Sequence, residues 1–285
     1  SIVDLNLSST APFLLWFHGG VMTIGGARDA SSLFAFDLCR KQFKKVKNDA
    51  NGKRNFPPLI FASVSYRLAP EHPFPASIID SLSAAKFVIE KLPHPSLHIA
   101  GFSAGGNLSA VVGLECFRRY PGAVKSIVCM DPWTISEFEG ENCRMNAPTS
   151  LFCPISFCRY CTGAYLQLRG FDVEDEASYT SARTERVDVN AEVDVAVNPM
   201  LRLLSPHRCL PDTIGSGTEA VPKIIVKTCT ADPLQDGGLD IIRCFRDAGT
   251  PVTSIESFGS HGLSSLLDFK TRHEMVEVWG ESLWD

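Results

Sequence analysis

The chain has 285 residues, of which 45% are hydrophobic and 21% are charged. This is the composition of an ordinary globular protein, which excludes disordered, collagen-like and low-complexity architectures. With 27 basic and 32 acidic residues the net charge is −5. The chain therefore has no basic excess to neutralise phosphates, and nucleic-acid binding is not expected.

No apolar run reaches the roughly 18 residues that a transmembrane helix needs, and the first residues lack the features of a signal peptide. Cys158 and Cys161 have CxxC spacing, but no second such pair follows to complete a zinc site. We therefore expect reduced, buried thiols, no metal and no cofactor, and we favour a cytoplasmic location. The chain begins without Met, and a targeting segment upstream of it would not be visible here.

Short apolar runs alternate along the chain with stretches of helical spacing. In chain order the predicted elements are strand Pro12–Phe17, helix Ser31–Lys45, strand Leu59–Tyr66, helix Ala76–Leu92, strand Leu97–Phe102, helix Gly105–Arg119, strand Ser126–Met130, strand Lys223–Thr228, helix Leu239–Ala248, strand Pro251–Phe258 and helix Leu263–Trp279. Near-continuous apolar strands that alternate with helices are typical of an α/β fold with a doubly wound, mostly parallel sheet, which is the fold class we predict.

One long interval, residues 131–222, breaks this alternation, and it is far longer than a single crossover needs. Within it, Pro154–Leu168 has helical spacing, whereas the acid-rich stretch Phe171–Asp194 is predicted to be a solvated loop. We expect a single domain over residues 1–285, with an inserted helical cap at about residues 133–205.

The sharpest motif is Gly101-Phe-Ser103-Ala-Gly105, which matches G-x-S-x-G. The bare pattern is only suggestive, because glycine and serine are common residues. A predicted strand runs into the motif and a helix follows it, which is the setting that a nucleophile elbow requires. Small residues beside Ser103 let such a strained turn close without clashes. The alternative is a glycine-rich turn that carries no chemistry.

A second glycine-rich segment, His18-Gly19-Gly20-Val21, directly follows the first predicted strand. Acyl transfer needs N–H donors aimed at the oxygen that becomes negative, and a glycine-rich loop lets the backbone come close to a substrate. The N–H groups of Gly19, Gly20 and Val21, together with that of Ala104, are therefore predicted to form an oxyanion hole.

The other members of a catalytic triad should follow Ser103 in the order acid, then histidine. Asp232 comes just after the fifth predicted strand, and His261 lies in a glycine-flanked loop after the sixth. Asp236 is the competing acid, but we expect it to open the next helix, and His273 falls inside a predicted helix. Ser103 would attack an acyl carbonyl, His261 would move the proton, and Asp232 would orient the imidazole. Because the three residues follow different strands, we expect them in one crevice at the carboxyl edge of the sheet.

At this point the chain resembles the hormone-sensitive-lipase-like branch of the α/β-hydrolases, which includes carboxylesterases and arylacetamide-deacetylase-like enzymes. The matching segments are His18-Gly-Gly, Val64–Pro75 (VSYRLAPEHPFP), Gly101–Leu108 (GFSAGGNL), Asp232-Pro-Leu and His261-Gly262. The part from Tyr66 to Pro75 is particularly specific to this branch. The resemblance covers roughly residues 12–280 and implies metal-free ester hydrolysis beneath a cap, of which Pro154–Leu168 and Asn198–Leu210 resemble parts.

The chain departs from the pattern of the branch at three places. Val21 stands where the family usually has a third glycine, and valine adopts a positive φ only at a cost. Phe102 stands where an Asp usually precedes the nucleophile, and we expect this change to do little harm. Family members also carry several dozen more residues before His18, including N-terminal cap helices and the first strands, so a more open site is expected.

The sequence thus predicts a serine carboxylesterase for esters of short to medium acyl chains, with a small-molecule ester as its partner and a homodimer as one open alternative for its assembly. The rival hypothesis is an inactive, receptor-like binding protein on the same fold. In such receptors the triad histidine is typically replaced, so the presence of His261 favours the enzyme. An amidase or deacetylase shares the triad and is not separated from an esterase by sequence.

Overall fold

The computed structural model describes residues 12–46, 59–92, 96–134, 140–150, 153–186, 221–247, 249–262 and 278. These residues form a six-stranded sheet in the order β2-β1-β3-β4-β5-β6, in which all neighbouring strands are parallel. The strands are β1 (Phe13–Phe17), β2 (Ile60–Val64), β3 (Leu97–Phe102), β4 (Val124–Met130), β5 (Lys223–Cys229) and β6 (Val252–Ser257). Each corresponds to one predicted apolar run, and the predicted α/β class is confirmed.

Helices connect the strands and cover the sheet. They are α1 (Ala30–Val46), α2 (Ala76–Lys91), α3 (Ala104–Arg119), α4 (Glu141–Asn146), α5 (Ile155–Leu166), α6 (Glu176–Arg186) and α7 (Gln235–Asp247), with a 3₁₀ turn, Ala147–Thr149, after α4. The predicted helix Leu263–Trp279 and the segment Asn198–Leu210 lie outside the described residues, apart from Val278. Among the described helices, none has the length and apolar character needed to cross a membrane.

Helices pack on both faces of the sheet. Successive side chains of a strand point to opposite faces, so each strand contributes to both clusters. Leu14 and Trp16 of β1 face one side, where they pack in a cluster with residues of α1. Leu15 and Phe17 face the other side, where a larger cluster includes α2, α3 and α7. Two-sided coverage explains why the strands are near-continuous apolar runs.

The acid-rich stretch is not the predicted solvated loop: the residues from Glu176 to Arg186 form α6. The Asp175 carboxylate accepts a hydrogen bond from the Ala177 N–H at 3.0 Å and thereby caps the first turn. Tyr179 is buried and packs edge-on against Phe171, with 5.6 Å between ring centroids. The composition predicts solvation, but buried side chains on the inner face, including Tyr179 and Arg183, pack this polar helix against its neighbours.

The parallel register places the carboxyl ends of the strands at one edge. Phe17 of β1 lies opposite Gly101 of β3, and Cys229 of β5 lies opposite Ser257 of β6. The residues that follow these strands include all the candidate site residues. The sheet therefore assembles the site, although its parts are far apart in sequence.

Every cysteine in the described part of the chain is a free thiol, and all except the half-buried Cys244 are buried. Burial raises the pKa of the Cys39, Cys116 and Cys129 thiols to about 12. Buried thiols of this kind are unreactive and behave as small apolar residues.

Candidate active site

Ser103 occupies a strained turn between β3 and α3. Its backbone has φ 56° and ψ −117°, a conformation that non-glycine residues rarely adopt. The turn is held by two hydrogen bonds to the next strand and its extension: the Ser103 N–H donates to the Met130 carbonyl at 2.9 Å, and the Trp133 N–H donates to the Ser103 carbonyl at 3.0 Å. A Cβ at Gly105 would collide with the Phe17 carbonyl oxygen, so the close approach of β1 requires glycine there.

The loop after β1 also has an unusual backbone. The φ angles of Gly20, Val21 and Met22 are 113°, 49° and 62°. Val21, which stands where the family usually has a third glycine, thus adopts a left-handed conformation, and its side chain is buried as well. A β-branched residue in this conformation is under local strain.

Tyr66 and His18 hold this loop in place. The Tyr66 Oη donates a hydrogen bond to the His18 carbonyl at 2.8 Å, and the two rings stack with centroids 4.1 Å apart. The His18 Nδ1–H donates to the Gly19 carbonyl at 2.7 Å. Burial lowers the pKa of His18, so this histidine is a neutral structural residue and not a proton carrier.

The candidate oxyanion donors gather around the elbow. In the described part of the chain, no hydrogen-bond acceptor is recorded for the backbone N–H groups of Gly19, Gly20, Val21 or Ala104. A Cβ at Gly105 would also lie 2.5 Å from the His18 carbonyl oxygen. The loop after β1 and the turn at Ser103, which carry the candidate N–H donors, are therefore tightly packed against each other.

Asp232 and His261 form a buried pair. Asp232 Oδ2 accepts a hydrogen bond from His261 Nδ1 at 2.7 Å, while its Oδ1 accepts from the Leu234 N–H at 2.8 Å. This bond places the proton on Nδ1 and leaves Nε2 free to accept one. Burial opposes a charge on the imidazole, but the neighbouring Asp232 carboxylate, together with Cys153 and Asp131, outweighs this effect and raises the pKa of His261.

The structure brings Asp232 and His261 into contact, and it places Ser103 on the same edge without a recorded hydrogen bond to His261. The Phe102 ring lies beside that of His261, with the two ring centroids 5.1 Å apart. Hydrogen bonds of catalytic residues are often long in a ligand-free site and tighten on substrate binding. Sequence reasoning treated Phe102 as inert, whereas its ring is part of the wall of the site.

Two further residues, Asp236 and His273, are the competing candidates for the acid and the histidine of the triad. Asp236, the competing acid, accepts hydrogen bonds from the Asn142 side chain at 2.7 Å and from the Cys143 N–H at 3.0 Å. It therefore anchors α4 to α7 and is committed to structure. His273 lies outside the described residues.

A pocket of about 350 Å³ opens beside this edge. Its wall combines Gly19, Gly20, Phe102 and Gly262 with the apolar Ile24, Phe34 and Met130 and with the start of α1. A mostly apolar concave site with a few convergent polar groups is the usual form of a small-molecule site.

The fold and this edge together define an α/β-hydrolase, and comparison with known proteins agrees. Residues 14–262 match a protein family whose description is "alpha/beta hydrolase fold", and the chain belongs to that family. This confirms the resemblance drawn from the motifs.

Two curated relatives have informative names. The chain is 37% identical over 249 residues to "Carboxylesterase NlhH" of Mycobacterium tuberculosis, a match that covers 85% of this chain and 62% of that protein. It is 31% identical over 125 residues to "Versiconal hemiacetal acetate esterase stcI" of Emericella nidulans, covering 44% of this chain and 38% of that protein. The chain thus spans less than two thirds of these relatives.

Solved structures show the same fold. A thermostable esterase from Pseudomonas putida superposes with a TM-score of 0.69 at 20% identity, over 98% of this chain and 76% of that one. An esterase from the archaeon Pyrobaculum calidifontis gives 0.67 at 21% identity, over 96% of this chain and 76% of that one.

Proposed function

We propose that this chain is a serine carboxylesterase that cleaves esters of short to medium acyl chains through an acyl-enzyme intermediate. The observation that carries the proposal is the 2.7 Å bond between Asp232 and His261, at the same sheet edge as the strained Ser103. Relatives named as a carboxylesterase and as esterases support it.

In the acylation step, Ser103 Oγ attacks the carbonyl carbon of the ester while His261 Nε2 takes the hydroxyl proton. The carbonyl oxygen becomes negative and is stabilised by the N–H groups of the Gly19–Val21 loop and of Ala104. When the tetrahedral intermediate collapses, the bond to the leaving oxygen breaks and His261 returns the proton to the alkoxide. Water then repeats the sequence on the acyl-enzyme and releases the acid.

Asp232 acts through His261 in both halves of this reaction. Its negative charge stabilises the imidazolium that forms in each transition state. The same stabilisation of the protonated ring raises the pKa of His261. Because Asp232 is almost fully buried, its interaction with the imidazolium is only weakly screened by solvent.

The pocket supports the proposed acyl range. At about 350 Å³ it lies near the small end of ligand sites, which span roughly 300–1,000 Å³. Helices α4, α5 and α6, which stand between β4 and β5, belong in this proposal to a cap over the site that extends over about residues 133–205. Asn146, the last residue of α4, connects these helices to the loop that carries Asp232. Its Nδ2 donates to the carbonyl oxygens of Thr230 at 3.2 Å and Asp232 at 3.3 Å.

The test is hydrolysis of p-nitrophenyl esters of graded chain length by the wild type and Ser103→Ala. Loss of the nucleophile should reduce kcat by more than about 10⁴-fold, with unfolding unchanged because the removed hydroxyl makes no recorded bond. Ser81→Ala is the matched control, because it removes an equally buried serine hydroxyl on α2, which donates to the Ser77 carbonyl at 2.8 Å. Ser81→Ala should keep full activity.

A folded wild type that is inert on every ester would contradict the proposal and favour the receptor-like binding protein. Equal activity of the wild type and Ser103→Ala would also contradict it. Faster turnover of an amide than of its matching ester would move the assignment to an amidase.

A further inference from the structure

We infer that a buried ion pair, Asp131 with Lys227, positions His261 for proton transfer. The inference rests on the proposed function of the site, and it concerns residues that the triad and the oxyanion hole do not use. Asp131 directly follows β4, and Lys227 lies within β5. Both side chains are completely buried.

The pair is tightly made. Lys227 Nζ donates to both carboxylate oxygens of Asp131, at 2.9 Å and 2.8 Å. The Asp131 N–H also donates to the Lys227 carbonyl at 2.8 Å, so backbone and side chain are joined between the same two residues. Asp131 has a φ of 41°, and this left-handed turn directs its carboxylate back toward β5. Asp is among the few non-glycine residues that tolerate such a φ.

The same carboxylate reaches the histidine loop. Asp131 Oδ2 accepts a hydrogen bond from the Gly262 N–H at 3.3 Å. His261 is therefore held from two sides: its ring by Asp232, and the peptide that follows it by Asp131. Lys227 Nζ donates further to Cys229 Sγ at 2.7 Å, and this sulfur contacts Ser257 Oγ at the end of β6. The network thus connects three strand ends to the loop that carries the proton carrier.

Stability alone does not account for this arrangement. Removing two charges from water is costly, and replacing a buried ion pair by apolar residues of similar volume often leaves a protein as stable or more so. Breaking such a pair at one end is damaging, because it leaves an uncompensated buried charge. Lys227 thus compensates the charge that Asp131 brings to the histidine loop.

The test separates charge from hydrogen bonding. Asp131→Asn with Lys227→Met removes both charges but keeps an oxygen for the Gly262 N–H. Asp131→Ala with Lys227→Met removes the acceptor as well. Turnover of a p-nitrophenyl ester is measured per active site, with the sites counted by an organophosphate that labels the nucleophilic serine. A misplacement of about 1 Å can cost a factor of roughly 100, so we expect the alanine pair to lose about 10- to 100-fold in kcat at nearly constant KM. The asparagine pair should restore kcat to within about threefold of the wild type.

A merely structural pair would give a different result. In that case the number of active sites and the resistance to urea would fall, with kcat per site unchanged, and the inference would be overturned. Equal losses for the asparagine and alanine pairs would overturn it too. Glu115→Gln on α3 is the control, because it disrupts the ion pairs that the buried Glu115 carboxylate makes with the exposed Arg118 and Arg119 away from the site. It should lower stability and leave kcat per site unchanged.

Two further measurements keep the inference testable if activity or folding fails. The NMR signal of the His261 Nδ1 proton reports the bond to Asp232 without turnover. It should persist in the asparagine pair and be lost in the alanine pair, and its persistence in both would refute the role even in an inert protein. If the alanine pair does not fold, Asp131→Gly with Lys227→Met removes the same acceptor, and glycine adopts a φ of 41° freely.

Discussion

Replacement of Val21 tests whether the oxyanion loop is strained. Val21 has a φ of 49° and a buried side chain. Val21→Ala removes the two γ-methyl groups, and Val21→Gly removes the Cβ atom as well. The Cβ atom is the one that makes a left-handed residue unfavourable, but it also contributes apolar burial. Backbone strain is therefore separated from packing by comparing this alanine-to-glycine step with the same step at a buried position whose φ is ordinary.

The step from alanine to glycine should be less costly at residue 21 than at ordinary buried positions. At an ordinary position glycine is less stable than alanine by roughly 0.5–1 kcal/mol, because its unfolded chain is more flexible, and a buried position also loses the methyl group. A Cβ in the left-handed region costs about 1–2 kcal/mol, and glycine removes this cost. The step at residue 21 should therefore cost about 1–2 kcal/mol less than the same step at an ordinary buried position.

Urea unfolding of the two variants and the wild type measures this difference directly. Both variants keep the backbone N–H of residue 21, so ester turnover is expected in both. Ala85, on the regular helix α2 and fully buried, provides the ordinary step, since Ala85→Gly loses the same Cβ and should be destabilising. If the step from alanine to glycine costs as much at residue 21 as at Ala85, residue 21 does not adopt a positive φ, and our description of the loop is wrong.

Two further predictions concern the parts around the nucleophile. Tyr66→Phe leaves the buried His18 carbonyl without its donor, which should cost about 1–3 kcal/mol of unfolding free energy and lower kcat. The control, Tyr165→Phe, removes a buried hydroxyl bonded to Ser77 and should lower stability alone. Equal kcat values for the two variants would contradict a positioning role for Tyr66. Because His261 must be neutral to act as a base and Asp232 raises its pKa, kcat/KM should rise with pH around a midpoint above the ordinary value of about 6.5. Asp232→Asn removes the charge and should move this midpoint to lower pH, while the control Asp236→Asn should leave it in place. A wild-type midpoint below about 6.5 would refute the assignment of His261, paired with Asp232, as the base.

The sheet could be predicted because its signal is local. Five of the strands are short, largely apolar runs, whereas β6 (VTSIES) is mixed, and β3 begins and ends where the sequence predicts. The helix α7 was predicted to start at Leu239 but starts at Gln235, because Gly237 and Gly238 weaken the helical pattern. In the structure these glycines allow close contact: a Cβ at Gly238 would lie 2.5 Å from Thr228 Cγ2 of β5.

The candidate site was predictable only where residues form motifs. Ser103 and His261 are flanked by glycines that mark sharp turns. Asp131 and Lys227 have no such signal, because they are 96 residues apart and meet only through the pairing of β4 with β5. A charged residue inside the apolar strand β5 was the one available clue.

The ring of Phe102 touches both loops that flank the nucleophile. A Cβ at Gly19 would lie 2.9 Å from its Cδ1, and a Cβ at Gly262 would lie 2.6 Å from its Cζ. Each contact fills the space that a larger side chain would need. A residue with a Cβ at position 19 or 262 would require a smaller residue at 102 at the same time, so a ring at residue 102 is compatible with glycine at both positions and not with a larger side chain at either.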